Sequence, residues 1–315
     1  MRRYVGVRIL QLLPVLLIAS VVIWGMIFIV PGDPVLIKLG PDATPAQLEA
    51  AREELGLDRP IAVQYVDWLS RVAVGDLGNS YLNDLPVAGL IAKRIPATLH
   101  LVTATALLSL LISFPMAMIG AASKNRFAKG SVSTYISLAL AVPSFLIGIV
   151  LILVFGVQLG MLPTTGYVPI WEDFGESLRH LVLPVITMSI FFSGLLARFL
   201  KASLLAEMNE DYVRTARSKG VGERAIWRAH ILRNGLLPVV TVFGLYVGTL
   251  LAGAVITESI FTFPGLGSLL LNSVSQRDYP VIQGTILMVI VAFVVVNLLV
   301  DLLYAALDPR IRYAK

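Results

Sequence analysis

The sequence predicts an all-α integral membrane protein with about six transmembrane helices and a small helical extracytoplasmic insert after the first span. Composition, the lengths of the apolar runs and the placement of the charges carry that reading. Of 315 residues, 57% are hydrophobic and only 14% are charged, whereas a soluble domain is near a quarter charged. Mean hydropathy is +0.82. The apolar residues gather in runs of about 20, the length that crosses a hydrocarbon core. The charges sit between the runs, so the net charge of +5 reads as a topology signal rather than a nucleic-acid surface. The chain has no cysteine, which excludes disulfides and thiolate metal sites.

The first run, Ile9–Val30, follows Met1-Arg2-Arg3. It is too long for the core of a signal peptide and lacks a small-residue cleavage pattern, so it is expected to be a retained span. With the insert it makes a first unit over residues 1–93. Within the insert, Thr44-Pro45-Ala46-Gln47 has the spacing of a capping box with proline at the first helical position. That helix is expected to stop at Gly56. Pro60 opens a second helix through about Val72, with Val63, Val66 and Leu69 on one side and Tyr65 and Trp68 close by. Two readings stay open for the insert: interfacial helices shielding the mouth of the bundle, or a docking surface or lid for an external partner. The turns at Pro31-Gly32-Asp33-Pro34 and Gly75-Asp76-Leu77-Gly78 would hold such a lid.

A second unit, residues 94–305, carries spans at Ala97–Ala122, Val132–Leu159, Leu181–Leu200, Leu236–Ile256 and Val281–Leu303, followed by a tail at 306–315. All must be helical, because backbone groups facing lipid have to bond within their own segment. Pro115, Pro143 and Pro184 are expected to kink them. Placing the N-terminus inside puts most of the 25 Lys and Arg residues on the cytoplasmic side, including Lys124, Arg126 and Lys129 and those from Arg198 to Arg233. The positive-inside rule therefore favours both termini in the cytoplasm of a plasma membrane.

Between the fourth and fifth spans lies a charged helix–turn–helix, Glu207 to Val240. Asn209 is expected to cap its first helix, with Glu210 and Asp211 in the first turn where the dipole favours acids. Tyr212, Arg214, Thr215 and Ala216 form its body. Arg217 and Lys219 lie in the last turn, and Gly220 stops it. So short a helix is marginal alone, so a partner groove is expected to take it, with arginines pairing acids at the rim. A basic loop adhering to anionic lipid is the bland alternative. It leaves the stops at both ends and the mixture of acids with bases unexplained.

The run Tyr212-Val213-Arg214-Thr215-Ala216-Arg217-Ser218-Lys219-Gly220, then His230-Ile231-Leu232-Arg233-Asn234, resembles the coupling-helix signature of ABC importer permeases. Arg214 and Thr215 replace the usual Glu and first Ala, and Arg233 the final Pro, which is the form of the dipeptide, oligopeptide and nickel subgroup. The resemblance extends through Pro31-Gly32-Asp33-Pro34, Leu55-Gly56-Leu57-Asp58, Gly75-Asp76-Leu77-Gly78, Pro96-Ala97-Thr98-Leu99, Phe263-Pro264-Gly265-Leu266-Gly267, Asp301 and Asp308-Pro309-Arg310-Ile311-Arg312. It implies a type-1 importer permease architecture in a bacterial or archaeal membrane. It also implies a second similar permease, two ATPase subunits gripping residues 209–220, and an extracytoplasmic substrate-binding protein. Peptides, nickel complexes and glutathione are the substrates of such systems, with peptides the leading expectation.

No Walker A, H-E-x-x-H or G-x-S-x-G motif occurs, so a non-catalytic subunit without metal or cofactor is expected. Arg198, Glu258 and Asp301 fall near span ends, where they are expected to reach water or each other. The span centres therefore lack the acid that a stand-alone proton-coupled carrier would carry. Ser144, Thr187, Ser189, Ser193, Thr241, Tyr246 and Thr249 are candidates to line a translocation path. Helix packing is the competing role for each, and Gly244 and Gly248 have the spacing of a close helix contact.

Overall fold

A computed structural model describes residues 2–29 and 33–307. The Pro31-Gly32 step and the closing Asp308 to Arg312 motif, with most of the expected tail, lie outside the described residues. Among the described residues, five helices are long and apolar enough to cross a membrane, and six if one bent pair counts as a span. Helix α1 (Arg2–Ile29) is followed by three short helices, α2 (Pro34–Leu39), α3 (Pro45–Glu54) and α4 (Ile61–Ala73). The capping box forms as the residue types require: Thr44 and Gln47 each bond the other's backbone N–H. Gly56 takes φ +66°, so the Gly56 and Leu57 amides close the helix end onto the carbonyls of Glu53 and Arg52.

In the insert, Asp33 accepts from the Val35 amide and pairs with Arg52 at 2.6 Å. Burial pushes the Asp33 carboxyl up, but the Arg52 hydrogen bond, the Val35 amide and the Arg52 charge outweigh it, holding it below its ordinary value. Helix α4 meets α1 through Tyr65, whose hydroxyl bonds Ser20 at 2.8 Å and whose ring lies 5.5 Å from Trp24. Val63 and Val66 are exposed, whereas Tyr65, Trp68 and Leu69 are half-buried.

Helices α5 (Val87–Ala122) and α8 (Phe174–Met208) form the centre. Both outrun the predicted spans; at about 1.5 Å per residue α8 is roughly 50 Å long, well beyond a hydrocarbon core of about 30 Å. They run parallel: the Ser189 hydroxyl donates to the Thr105 carbonyl, and Ala117 and Ala121 pack with Leu200 and Leu204. The insert, which precedes α5, and the loop after α8 therefore lie at opposite ends of the bundle.

The predicted third span is not one kinked helix. It is α6 (Arg126–Ala141) and α7 (Ser144–Leu151), the latter continued by a wide turn over Ile152–Gln158, bent by 98° at Val142-Pro143. Proline removes an amide and restricts the residue before it, so the helix breaks there. The helices α5 and α8 nevertheless continue through Pro96, Pro115 and Pro184. Gly194 sits against Ala139, where a Cβ would come within 2.6 Å of its neighbour.

The remaining long helices are α12 (Leu237–Ile260) and α14 (Tyr279–Leu307), preceded in the chain by the short α9 (Asp211–Ser218), α10 (Glu223–Ile226) and α11 (Leu232–Gly235), with α13 (Leu266–Gln276) between them. Gly244 and Gly248 do mark a close contact, facing Val300 and Phe293 of α14. A Cβ on Gly248 would lie 2.6 Å from the Phe293 ring, whereas Gly253 has 3.9 Å to its nearest neighbour. Gly248→Leu is accordingly expected to lose about 1–3 kcal/mol by overpacking and Gly253→Ala close to none, as thermal unfolding of the two purified variants would read.

One sequence expectation is overturned here. Glu258 does not reach water but is fully buried. Past the end of α12 the chain folds back over it, and the carboxyl organises that fold-back. Thr98 of α5 donates to one oxygen at 2.7 Å, and the Ser268 amide to the other at 3.0 Å. The Leu266 amide in turn donates to the Thr98 hydroxyl at 2.8 Å. A side chain at Gly265 would collide with Glu258, and one at Gly267 with the Val255 backbone, which explains both glycines of Phe263-Pro264-Gly265-Leu266-Gly267. Nearby, Asp278 accepts from the Ser80 hydroxyl and the Tyr81 amide, joining the insert to the start of α14. Burial, then the Asp278 charge, push the Tyr81 hydroxyl up to about 12.

Candidate functional site

The charged segment after α8 folds into a compact unit at the end of the bundle remote from the insert. Asn209 is not the N-cap of its helix. It closes α8 in the α-region at φ −95° and ψ −3°, with its side chain donating to the Leu205 carbonyl. Only the extended Glu210 (φ −65°, ψ 144°) precedes α9, without a side-chain cap. A cap needs an extended backbone so that its side chain can turn back to the free amides. Residue type alone does not supply that.

The far end is closed as expected. Gly220 adopts φ +78°, Gly220 N–H donates to the Arg217 carbonyl at 2.9 Å, and Val221 N–H to the Ala216 carbonyl at 3.1 Å. These two bonds satisfy carbonyls that the helix end leaves open. On the surface, Arg217 pairs with Glu223 at 2.7 Å and Arg214 with Asp211 at 3.5 Å. Thr215 bonds back to the Asp211 carbonyl, and Lys219 is exposed at the helix end. Tyr212 bonds Glu207, and Asn234 donates to Tyr212 at 2.9 Å. The rings of Tyr212 and His230 stand 5.8 Å apart.

What the sequence did not single out is the anchor. Val213, Ile226 and Ile231 are fully buried and pack with Leu200 and Leu204 of α8 and Ala117 and Ala121 of α5. Ser203 adds a 2.7 Å bond to the Gly235 carbonyl. Val213 is the lone fully buried residue of α9, so α9 offers Asp211, Arg214, Thr215 and Ser218 outward while Val213, with the half-buried Ala216 beside it, packs toward the two central helices. The available signal was Val213 standing alone among polar neighbours.

The hydrogen bond from Arg217 holds the Glu223 carboxyl below its ordinary value, against a smaller upward push from burial. A depressed carboxylate stabilises above its unfolded value, and that support is lost as the pH falls through the folded one. Glu223→Gln at neutral pH is therefore expected to loosen the Gly220 turn, speeding tryptic cleavage after Lys219 about two- to fivefold, as suits an exposed pair. Acidification below the usual glutamate range should give the same loosening, read by amide exchange.

The seven hydroxyl and aromatic candidates do not share one surface. Thr187, Ser189 and Ser193 are fully buried. Their hydroxyls are bonded to the Leu183 carbonyl, the Thr105 carbonyl, and the Ile190 carbonyl together with Tyr135. Thr249 is exposed and bonds the Tyr246 carbonyl, Thr241 is half-buried, and Tyr246 packs its ring beside Phe192 and Phe199. Ser144 lines a cavity of about 320 Å³ at the α6–α7 break, with Phe191, Phe192 and Thr257. A hydroxyl on an apolar helix can bond a carbonyl one turn back, so it serves packing as readily as a path. Arg198 is exposed, while Asp301 pairs with Arg8 at 3.3 Å.

Residues 109–313 match the family described as binding-protein-dependent transport system inner membrane component. Residues 1–102 match its N-terminal companion. The chain is 41% identical over 313 residues to the glutathione transport system permease protein GsiC of Escherichia coli O6:H1, covering 99% of this chain and 100% of that protein. It is 40% identical to the proteins of the same name from Escherichia coli K12 and Shigella dysenteriae serotype 1, at the same coverage. Among solved structures, an inward-facing form of the MetNI methionine ABC transporter superposes with a TM-score of 0.58 at 15% identity, over 70% of this chain and 96% of that one. An amino acid ABC transporter superposes at 0.50 and 19% identity, over 70% and 94%. At these identities the superpositions establish a shared fold.

Proposed function

Because the chain belongs to the family of binding-protein-dependent transport system inner membrane components, we propose that it is the permease subunit of an ATP-driven importer of glutathione or a similar short peptide. The observation that carries the reading is the α9 unit: a closed helix with a polar outer face, held by Val213 to both central helices. In this reading α9 sits in a cleft of a partner ATPase, and closure of that partner rocks α5 and α8 between two arrangements. A second, similar permease completes the bundle, and an extracytoplasmic binding protein delivers substrate to the insert end. Both termini and α9 face the cytoplasm, in accord with the basic residues around them.

The broader class of peptides is the expectation of the sequence motifs. The glutathione reading is favoured because relatives at 40–41% identity over the whole chain carry that name. The test is reconstitution of the chain with the products of its neighbouring genes in proteoliposomes. Uptake of tritiated glutathione should require ATP, the binding protein and both permeases, with tritiated Ala-Ala as comparison. A photo-crosslinker at Lys219 should capture the ATPase. Flux through this chain alone without ATP, or a Lys219 crosslink that never reaches an ATPase, would overturn the reading.

A further inference from the structure

A second cavity, of about 620 Å³, opens between α6 and α8. Two positively charged side chains line it, Arg198 and Lys201, one turn apart on α8. Facing them on α6 are Ser133 and Ser137, also one turn apart, with no acidic residue in the wall. The lysine is preset. Its stem lies on Gly120, where a Cβ would come within 3.0 Å of the Lys201 Cδ, and its ammonium donates to Ser133 at 3.3 Å. Arg198 has no carboxylate partner among the described residues. The cavity shares Leu140 and Ala141 with the smaller one at the Pro143 break. The two are thus adjacent, and together they run from the middle of the bundle toward its α9 end.

We propose that Arg198 and Lys201 form a carboxylate-binding station at the α9 end of the translocation path, which takes the anionic group of the peptide as it leaves the bundle. The inference rests on the import reading and deepens it. A peptide has at least one carboxylate, and glutathione two, and a carboxylate in an apolar bundle is costly unless it is paired and hydrogen-bonded. Guanidinium and ammonium groups supply charge-assisted bonds, and the two serine hydroxyls can donate as well. Because Arg198 is exposed, water screens the pair, which suits a site that must release what it binds. The same oxyanion chemistry would fit a lipid phosphate, so the experiment separates the two sources.

A benzoylphenylalanine photo-crosslinker is placed at Ser137, and in a second preparation at Leu205 on the rim, in the assembled transporter. The vesicles contain labelled phosphatidylglycerol, and the tritiated peptide is whichever of glutathione and Ala-Ala the complex takes up. During ATP-driven turnover the wild-type pair should capture peptide. Capture should fall about tenfold or more in R198Q/K201Q and return in R198K/K201R, which keeps the charges. Capture of phosphatidylglycerol in place of peptide overturns the proposal in favour of a headgroup site. Peptide capture unaffected by R198Q/K201Q, or uptake without any capture, overturns it while leaving the import reading standing. A wild-type complex that takes up neither peptide removes the import reading and this inference together.

Discussion

Arg214→Glu combined with Thr215→Arg is expected to leave the chain at normal levels in the membrane and to cut the rate of ATP-driven uptake at least about tenfold, equivalent to about 1.4 kcal/mol in activation free energy. Both positions are exposed, so neither change enlarges a buried side chain. The lost Arg214–Asp211 pair is a surface contact between i and i+3, worth roughly 0.2–0.5 kcal/mol. The new cation four residues after Asp211 offsets that loss. Helix stability therefore cannot account for a tenfold fall, whereas reversed charge and added bulk on a docking face can. Ala216 is left alone because it packs against the Val213 cluster, and changing it would mix folding with docking. The measurement is uptake and substrate-stimulated ATP hydrolysis by the purified complex. Both remaining at wild-type rates would show that α9 transmits nothing.

Thr98→Val should unfold the insert end of the bundle more readily than Thr103→Val. Valine has nearly the same shape, so the change isolates the hydroxyl. It removes the donor to Glu258 and the acceptor of the Leu266 amide together. Each group is then left buried and short of a partner, at about 1–3 kcal/mol, or about 2–6 kcal/mol for both. Thr103→Val, one to two turns along the same helix at an exposed position, provides the control. Thermal unfolding of the purified complexes compares them. Equal midpoints would mean that the Thr98–Glu258 link does not hold the fold-back over α12.

The two predictions differ in how visible their residues were. The stop at Gly220 was legible because a left-handed residue between a cationic last turn and a new helix is a local matter. The capping box at Thr44 was legible for the same reason. Asn209 misled because its residue type suits an N-cap, whereas α8, extended by long-range packing on α5, reaches through Met208 and takes Asn209 as its C-cap. Glu258 misled in the opposite direction. Its position near a span end suggests water, but the loop that buries it is held by Thr98, 160 positions earlier in the chain.

From its residues alone the chain determined that it is helical and multi-spanning, where most of its spans lie, and that a closed polar helix stands between the fourth and fifth. Those properties follow from hydropathy over about 20 residues and from end signals within a few positions, so neighbours in sequence suffice. Tertiary structure decided the 98° turn in the third span, the attachment of α9 through Val213 and the burial of Glu258. It also buried Thr187, Ser189 and Ser193 with their hydroxyls on backbone carbonyls and set two cations beside two serines in one cavity. Each of these depends on which distant segment arrives alongside, because burial and hydrogen-bond partners belong to pairs of helices rather than to a stretch of sequence.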